Sequence, residues 1–385
     1  MNGPVDPDTI LPTTKGTVMD FSSLFRPGIR ATRPYTPGKP IEEVQRELGL
    51  DSVIKLASNE NPEGPLPVVV EAITAAARGI NRYPDAASHD LTGKLAAHLG
   101  VETSQLLLGN GSNEVIDIII RALISPGENV VYSEGSFIVY GLTTRAHFEC
   151  GRTVPLRNDD THDLVAMAAA VDSKTKLVIV CNPNNPTGTY NNLDEFRTFL
   201  AALPPRVVVA VDEAYYEYVT ADDYPLTLEL LRDHPALVVL RTFSKIHSLA
   251  GLRVGYGVGH PELIGELQKT REPFNVNLMA QAAGIACLDN WQEVAGRRDR
   301  NRAELERMSR GFEELGLEVV PSQTNFILVR CAGDAGQLTN DLLHKGVIVR
   351  PMNAWGLDSR ALRISVGLPE ENTRCLTALK EILET

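Results

Sequence analysis

The sequence lacks any apolar run near the ~18 residues that a membrane span requires. It has no Cys-x-x-Cys pair and no excess of positive charge. Lys and Arg number 37 against 49 Asp and Glu, a net charge of −12. An acidic balance of that size argues against nucleic acid or an anionic membrane as the main partner, while leaving room for a small basic pocket. Cysteine is scarce: Cys150, Cys181, Cys287, Cys331 and Cys375 are widely spaced and odd in number. That predicts free, mostly buried thiols in a reducing compartment. The opening residues, MNGPVDPDTILPTTKG, lack the basic start and apolar stretch of a secretory signal. Their Pro, Asp and Thr content predicts a disordered tail over residues 1–20. These absences together predict a soluble, cytoplasmic protein.

What is present fits an ordinary globular composition, 43% apolar and 22% charged over 385 residues. The length suits two domains. From Lys55 to about Gly259, short β-rich runs alternate with helical patterns. KLVIVCNPNNPTG, RVVVAVDEAYYEY and ALVVLRTFSK each read as a buried strand followed by a polar cluster, and GNGSNEVIDIIIRALI as a turn entering a helix. Near-continuous Val/Ile/Leu runs separated by helices predict an α/β fold with a mainly parallel, seven-stranded-type sheet between helices. After Pro273 the pattern changes to a long helical region, then short strands, then a terminal helix, the mark of a smaller α+β domain. The expected division is an N-terminal arm over 21–54 joining the small domain, a large domain over 55–275 and the small domain over 276–385.

In open α/β sheets ligands bind outside the C-terminal ends of the strands, and several polar clusters fall at such ends. A lone lysine after a strand is usually a solvated surface charge. Lys245, however, lies beside Ser244 and eight residues before Arg253. A hydroxyl, an ammonium and a guanidinium together can hold a phosphate, and a desolvated lysine is a Schiff-base nucleophile. Asp212 follows an apolar run that would bury it. A buried carboxylate is costly unless paired, so it is a helix cap, a metal ligand or a partner for a heterocyclic nitrogen. Tyr215 is either a core tyrosine or a donor to a ring oxygen. Asn185, restricted by Pro186, is a stiff mount for an amide. GNGSNE places free N–H groups at a helix start, a phosphate seat.

Taken in order, GNGSNE, NPNNPTG, DEAY, FSK, LAGLRVGY and LRISVG resemble the fold-type-I, pyridoxal-phosphate-dependent aminotransferases. RPYTPGKPIEEV, KLASNENPEGP, NRYPD, REPFNVN and GVIVRP resemble the histidinol-phosphate aminotransferase subfamily, over roughly Phe21 to the C-terminus. The resemblance implies a cofactor, pyridoxal 5′-phosphate, held covalently by Lys245, which also shuttles the catalytic proton. It implies that Asp212 pairs with the pyridinium nitrogen and that Asn185 and Tyr215 bond the ring oxygen. Ser112, Asn113, Ser244 and Arg253 would hold the phosphate, and Phe137 would stack on the ring. Tyr83 would reach the cofactor phosphate of a neighbouring subunit, hence a homodimer. Arg363 would take the substrate α-carboxylate, Arg350 the distal anion, and Tyr35 would line the substrate pocket. No metal is implied. The partners are a small-molecule amino donor and a 2-oxo acid acceptor: histidinol phosphate with 2-oxoglutarate, with an aromatic amino-acid aminotransferase or a decarboxylase or lyase of the same fold as alternatives. Three positions depart from the family pattern. His247, with Ser248, is expected beside the phosphate cup, where it either retunes the site or is a tolerated change. Glu63 would disfavour anionic substrates if it faced the pocket. Gly135 is expected to loosen the loop that carries Phe137.

Overall fold

β1 (Ile54–Lys55) enters the structure as half of a two-stranded ladder. The next seven strands form one sheet: β2 (Leu106–Gly109), β3 (Asn129–Ser133), β4 (Gly151–Val154), β5 (Thr175–Cys181), β6 (Val208–Asp212), β7 (Leu237–Thr242) and β8 (Gly255–Gly259). Their spatial order is β2-β8-β7-β6-β5-β3-β4. Only β8 runs against its neighbours, so the sheet is mainly parallel, as its apolar runs predict. These strands come from a computed structural model that describes residues 20–34 and 38–384. Residues 1–19 of the expected tail, and Tyr35, lie outside the described residues.

The central strands are apolar through Leu177–Cys181, Val208–Val211 and Leu237–Leu240 because both faces of the sheet are covered. Alternation then splits them. Val178, Val180, Val209, Val211 and Val239 point into one core. Leu177, Ile179, Val208, Ala210, Val238 and Leu240 point into another, closed by the helix Ser112–Leu123. A third core lies between the 24-residue helix Trp291–Glu314, the terminal helix Pro369–Leu383 and a four-stranded sheet. That sheet comprises β9 (Glu318–Val319), β10 (Phe326–Arg330), β12 (Arg350–Pro351) and β13 (Ala361–Ser365), antiparallel in the order β12-β13-β10-β9. β11 (Val347–Ile348) pairs in parallel with β1, which ties the chain before the large sheet to the C-terminal elements. Among the described residues no helix is long and apolar enough to cross a membrane. All five cysteines are buried and free.

Candidate active site

The parallel strands β5, β6 and β7 end together, and the polar clusters predicted from sequence sit on those ends. Asn185 follows β5, Asp212 is the last residue of β6, and Ser244 and Lys245 follow β7. The antiparallel β8 begins at the same rim, so Arg253 stands just before it, and β2 delivers the helix start at Ser112. A cavity of about 320 Å³ opens there. It is lined by Ser112, Asn113, Phe137, Asn185, Asp212, Tyr215, Ser244, Lys245, Arg253, Arg350 and Arg363. The sequence-predicted set is thus gathered in one place, apart from Tyr35 and Tyr83. Tyr83 is 82% exposed and stacks on Phe274 with ring centroids 4.6 Å apart.

One end of the cavity is an anion cup. The first N–H groups of the helix Ser112–Leu123 have no intrahelical acceptor. Arg253 bonds Ser244 Oγ at 3.3 Å and the carbonyl of Ala250 at 3.0 Å. The glycines around the cup are there for space. A Cβ on Gly255 would lie 2.4 Å from the amide nitrogen of Ser112, and one on Gly111 would lie 2.4 Å from Arg253 Nη2. Gly111 also has φ +81°, which a side chain would strain. Arg253 itself is held at φ +57°, a conformation uncommon outside glycine and typical of functional sites.

The floor is Asp212, 2% exposed. Its Oδ2 accepts from Tyr140 Oη at 2.7 Å and its Oδ1 from the amide of Ala214 at 3.2 Å. Burial pushes its carboxyl up to about 6, against the opposing hydrogen bond from Tyr140. A carboxylate this buried, oriented by two donors, fits a protonated ring nitrogen. Lys245 Nζ donates to the carbonyl of Asn59 at 3.2 Å and lies 5.2 Å from the Tyr215 ring centroid. Burial, then the positive charges of Arg363 and Arg253, lower its ammonium from the ordinary 10.5 to about 8. The cup, the buried carboxylate and the depressed lysine fit a phosphorylated pyridine aldehyde.

The neutral amine is the nucleophile, and below its pKa its fraction falls about tenfold per pH unit. Cofactor-free protein should therefore capture pyridoxal phosphate at a rate that climbs with pH to about 8 and levels above it. A rate still climbing at pH 10, followed by stopped-flow absorbance, would contradict the depressed lysine.

Several site residues carried no usable sequence signal. Tyr140, on the helix Ile138–Ala146, is the partner that orients Asp212. Asn59, 1% exposed, receives Lys245 on its carbonyl and donates from Nδ2 to Tyr215 Oη at 3.0 Å. Trp355 lines the cavity beside Phe137, with centroids 6.2 Å apart. Asn59 stands within a motif that the resemblance rests on, yet nothing in its spacing marks it as a contact. Asn185 Oδ1 accepts from Arg363 Nη1 at 2.6 Å, so it also orients the arginine.

The structure places each of the three departures. His247 does not face the anion cup. It is buried on the other side, with its ring tilted against Phe243 at 4.5 Å and near Trp291 at 5.7 Å. The alternation of β7 sends Thr242 to the active-site cavity and Arg241 to the opposite side, and the turn that follows the strand carries Ser244 and Lys245 to the cavity but Phe243 and His247 to the opposite side. Burial holds the His247 imidazole near 3, hence neutral. Glu63 faces away from the cavity and forms a fork with Arg300 at 2.8 and 2.7 Å. Gly135, at φ +72°, has its carbonyl held by Asn184 Nδ2 at 3.2 Å. A Cβ there would press on Leu156 and Leu357 at 3.0 Å, so the glycine fits the loop rather than loosening it.

Comparison with known proteins agrees with this geometry. The family model described as aminotransferase class I and II matches residues 51–379. Histidinol-phosphate aminotransferase 2 of Pseudomonas aeruginosa is 47% identical over 366 residues, covering 94% of this chain and 99% of that protein. Histidinol-phosphate aminotransferase of Geobacillus thermodenitrificans is 48% identical, covering 92% and 97%. Among solved structures, histidinol-phosphate aminotransferase from Sinorhizobium meliloti in complex with pyridoxal-5′-phosphate matches with a TM-score of 0.85 at 31% identity. That match covers 94% of this chain and 98% of that one.

Proposed function

The chain belongs to the class I and II aminotransferases, and from that membership we propose that it moves the amino group of histidinol phosphate to 2-oxoglutarate, giving imidazole-acetol phosphate and glutamate, with pyridoxal phosphate as carrier. The observation that carries this reading is the placement of two arginines. Arg350 on β12 and Arg363 on β13 are directly opposed in an antiparallel pair. Opposed residues project to the same face of a sheet, and both line the cavity with Lys245. Two guanidiniums side by side suit both partners, the two carboxylates of glutamate and 2-oxoglutarate and the doubly charged phosphate of histidinol phosphate, because each reads carboxylate or phosphate with a planar fork.

When bound, pyridoxal phosphate supplies an electron sink for the substrate's Cα–H bond. Ser112, Asn113, Ser244 and Arg253 hold its phosphate, and Phe137 covers its ring. Asp212 keeps the ring nitrogen protonated, and Tyr215 and Asn185 bond the ring oxygen. Lys245 would hold the cofactor, and its amine would be the group that moves the substrate's Cα proton. Arg363, oriented by Asn185, would fix the α-carboxylate of glutamate in its half-reaction so that this proton lies within reach of Nζ. Arg350 would meet the phosphate of histidinol phosphate or the distal carboxylate of glutamate. One pocket serves both half-reactions, so ping-pong kinetics follow. The exposed Tyr83, stacked on Phe274, reaches the cofactor phosphate of a second copy in a homodimer. Five free, buried thiols support a cytoplasmic setting.

A panel of histidinol phosphate, phenylalanine, tyrosine and glutamate tests the substrate. Histidinol phosphate should have the highest kcat/KM, and a large preference for phenylalanine would overturn the assignment. Arg350→Ala should lower kcat/KM for histidinol phosphate by about 10- to 100-fold, the worth of a charged hydrogen bond, and phenylalanine by less than about threefold. Equal losses would remove Arg350 from its role.

A further inference from the structure

Two of the positions that depart from the family pattern, Glu63 and Ser248, meet in one network around the lysine loop. Ser248 sits at φ +61°, where a Cβ is disfavoured and glycine is the easy choice. Its hydroxyl is used both as donor and as acceptor. It donates to the carbonyl of Glu63 at 2.7 Å and accepts from Arg297 Nη1 at 2.7 Å. Arg297, on the helix Trp291–Glu314, has a side chain only 3% exposed. Its Nη1 also donates to the carbonyl of Ile246 at 2.8 Å, and its Nη2 to the carbonyl of Gly64 at 2.6 Å. Asn61 Nδ2 donates to the same Ile246 carbonyl at 3.0 Å, while Asn61 Oδ1 accepts from the amide of Glu63. The Glu63 carboxylate stands 3.7 Å from Arg297 Nε and closes the fork with Arg300. That hydrogen bond from Arg300 keeps Glu63 below its ordinary carboxylate range, so the network stays charged at neutral pH.

The segment tied down is the one that carries Lys245. The Ile246 carbonyl is the next peptide after the lysine, and Ser248 N closes a turn on the carbonyl of Lys245 at 3.0 Å. The partner segment, Asn59 to Gly64, contributes the carbonyl that receives Lys245 Nζ. The lysine is therefore gripped at its backbone and at its amine by two loops that Arg297 joins.

We propose that Arg297, seated by Glu63 and Ser248, is a positioning residue that fixes the Lys245 loop against the Asn59–Gly64 loop and so sets where the lysine amine stands during proton transfer. This rests on the aminotransferase reading of Lys245. It also accounts for a serine at a glycine-like φ, because the strain is offset by two hydrogen bonds.

The test uses Ser248→Gly and Arg297→Lys. Ser248→Gly relieves the backbone strain and removes only the hydroxymethyl group, so it should fold with an undiminished Tm. Arg297→Lys keeps the charge beside Glu63 but loses the fork. In each variant kcat should fall about tenfold, since small misplacements of a reacting group are costly, with KM within about twofold. The pH midpoint of the lysine-bound cofactor's visible band should move. In cofactor-free protein, amide hydrogen exchange at residues 246–249 should quicken about tenfold. Unchanged exchange and an unchanged midpoint in both variants would overturn the proposal. Failure of the cofactor reading is separable, because the unaltered protein would then show no visible band, while the exchange comparison still reports on the clamp.

Discussion

Lys245→Ala should lower kcat/KM by about 10⁴-fold or more and erase the visible absorption of the protein loaded with pyridoxal phosphate. Among the described residues, nothing else lining the cavity can replace the amine. The other cations lining it are Arg253, Arg350 and Arg363, and a guanidinium does not deprotonate in proteins. Lys245→Arg should therefore be as inactive as the alanine variant, although it keeps the charge. The alanine variant should still bind the cofactor through the anion cup, since Ser244 and Arg253 hold each other independently of Nζ. Spectra and steady-state rates of both variants check this. A visible band that survives the loss of Lys245 would move the covalent attachment elsewhere.

Asp212→Asn should lower kcat by about 10³-fold, because a preorganised charge is lost where charge develops in the transition state. The same change should leave the cofactor-free protein at least as stable at pH 7. The sign follows from the carboxyl's raised pKa, about 6 when folded against an ordinary 3.8. The folded state favours the protonated form, so the associated stability is fully present below pH 3.8 and is lost as pH rises through about 6. At pH 7 the native protein carries an ionised, buried Asp212 at a cost of up to about 3 kcal/mol, which the amide removes. Loss of activity without loss of Tm would mark Asp212 as a residue kept for chemistry. A lower Tm in the cofactor-free variant would show that its bonds to Tyr140 and Ala214 matter more to the fold than burial of its charge costs. Tyr140→Phe should act in the same direction on activity but more weakly, since it removes one donor to the carboxylate and leaves the charge.

Much of this site was legible in the chain because it is local to single elements. A strand that is apolar throughout must be covered on both faces, and in such sheets ligands gather at the C-terminal ends. Asn185, Asp212 and Lys245 each stand at or just beyond such an end. Ser112 stands at a helix start for equally local reasons, a glycine turn followed by an apolar helical pattern. Knowing those elements is enough to place those residues on one rim.

The remainder depended on pairings between distant segments. Tyr140 reaches Asp212 from 72 residues away, and Arg363 reaches Asn185 from 178. The opposition of Arg350 and Arg363 comes from strand register, and a slip of one residue would send one of them to the other face. His247 owes its place to the turn after β7, which carries it away from the anion cup to the opposite side. Glu63 faces Arg300 only because the helix Trp291–Glu314 crosses that loop. The sequence by itself determined the sheet, the rim and the chemistry of the residues on it, because periodicity and turn formation act over a few residues. Only the tertiary structure decided which face each departing residue took and what held the lysine, because those contacts join segments whose separation along the chain carries no local signal.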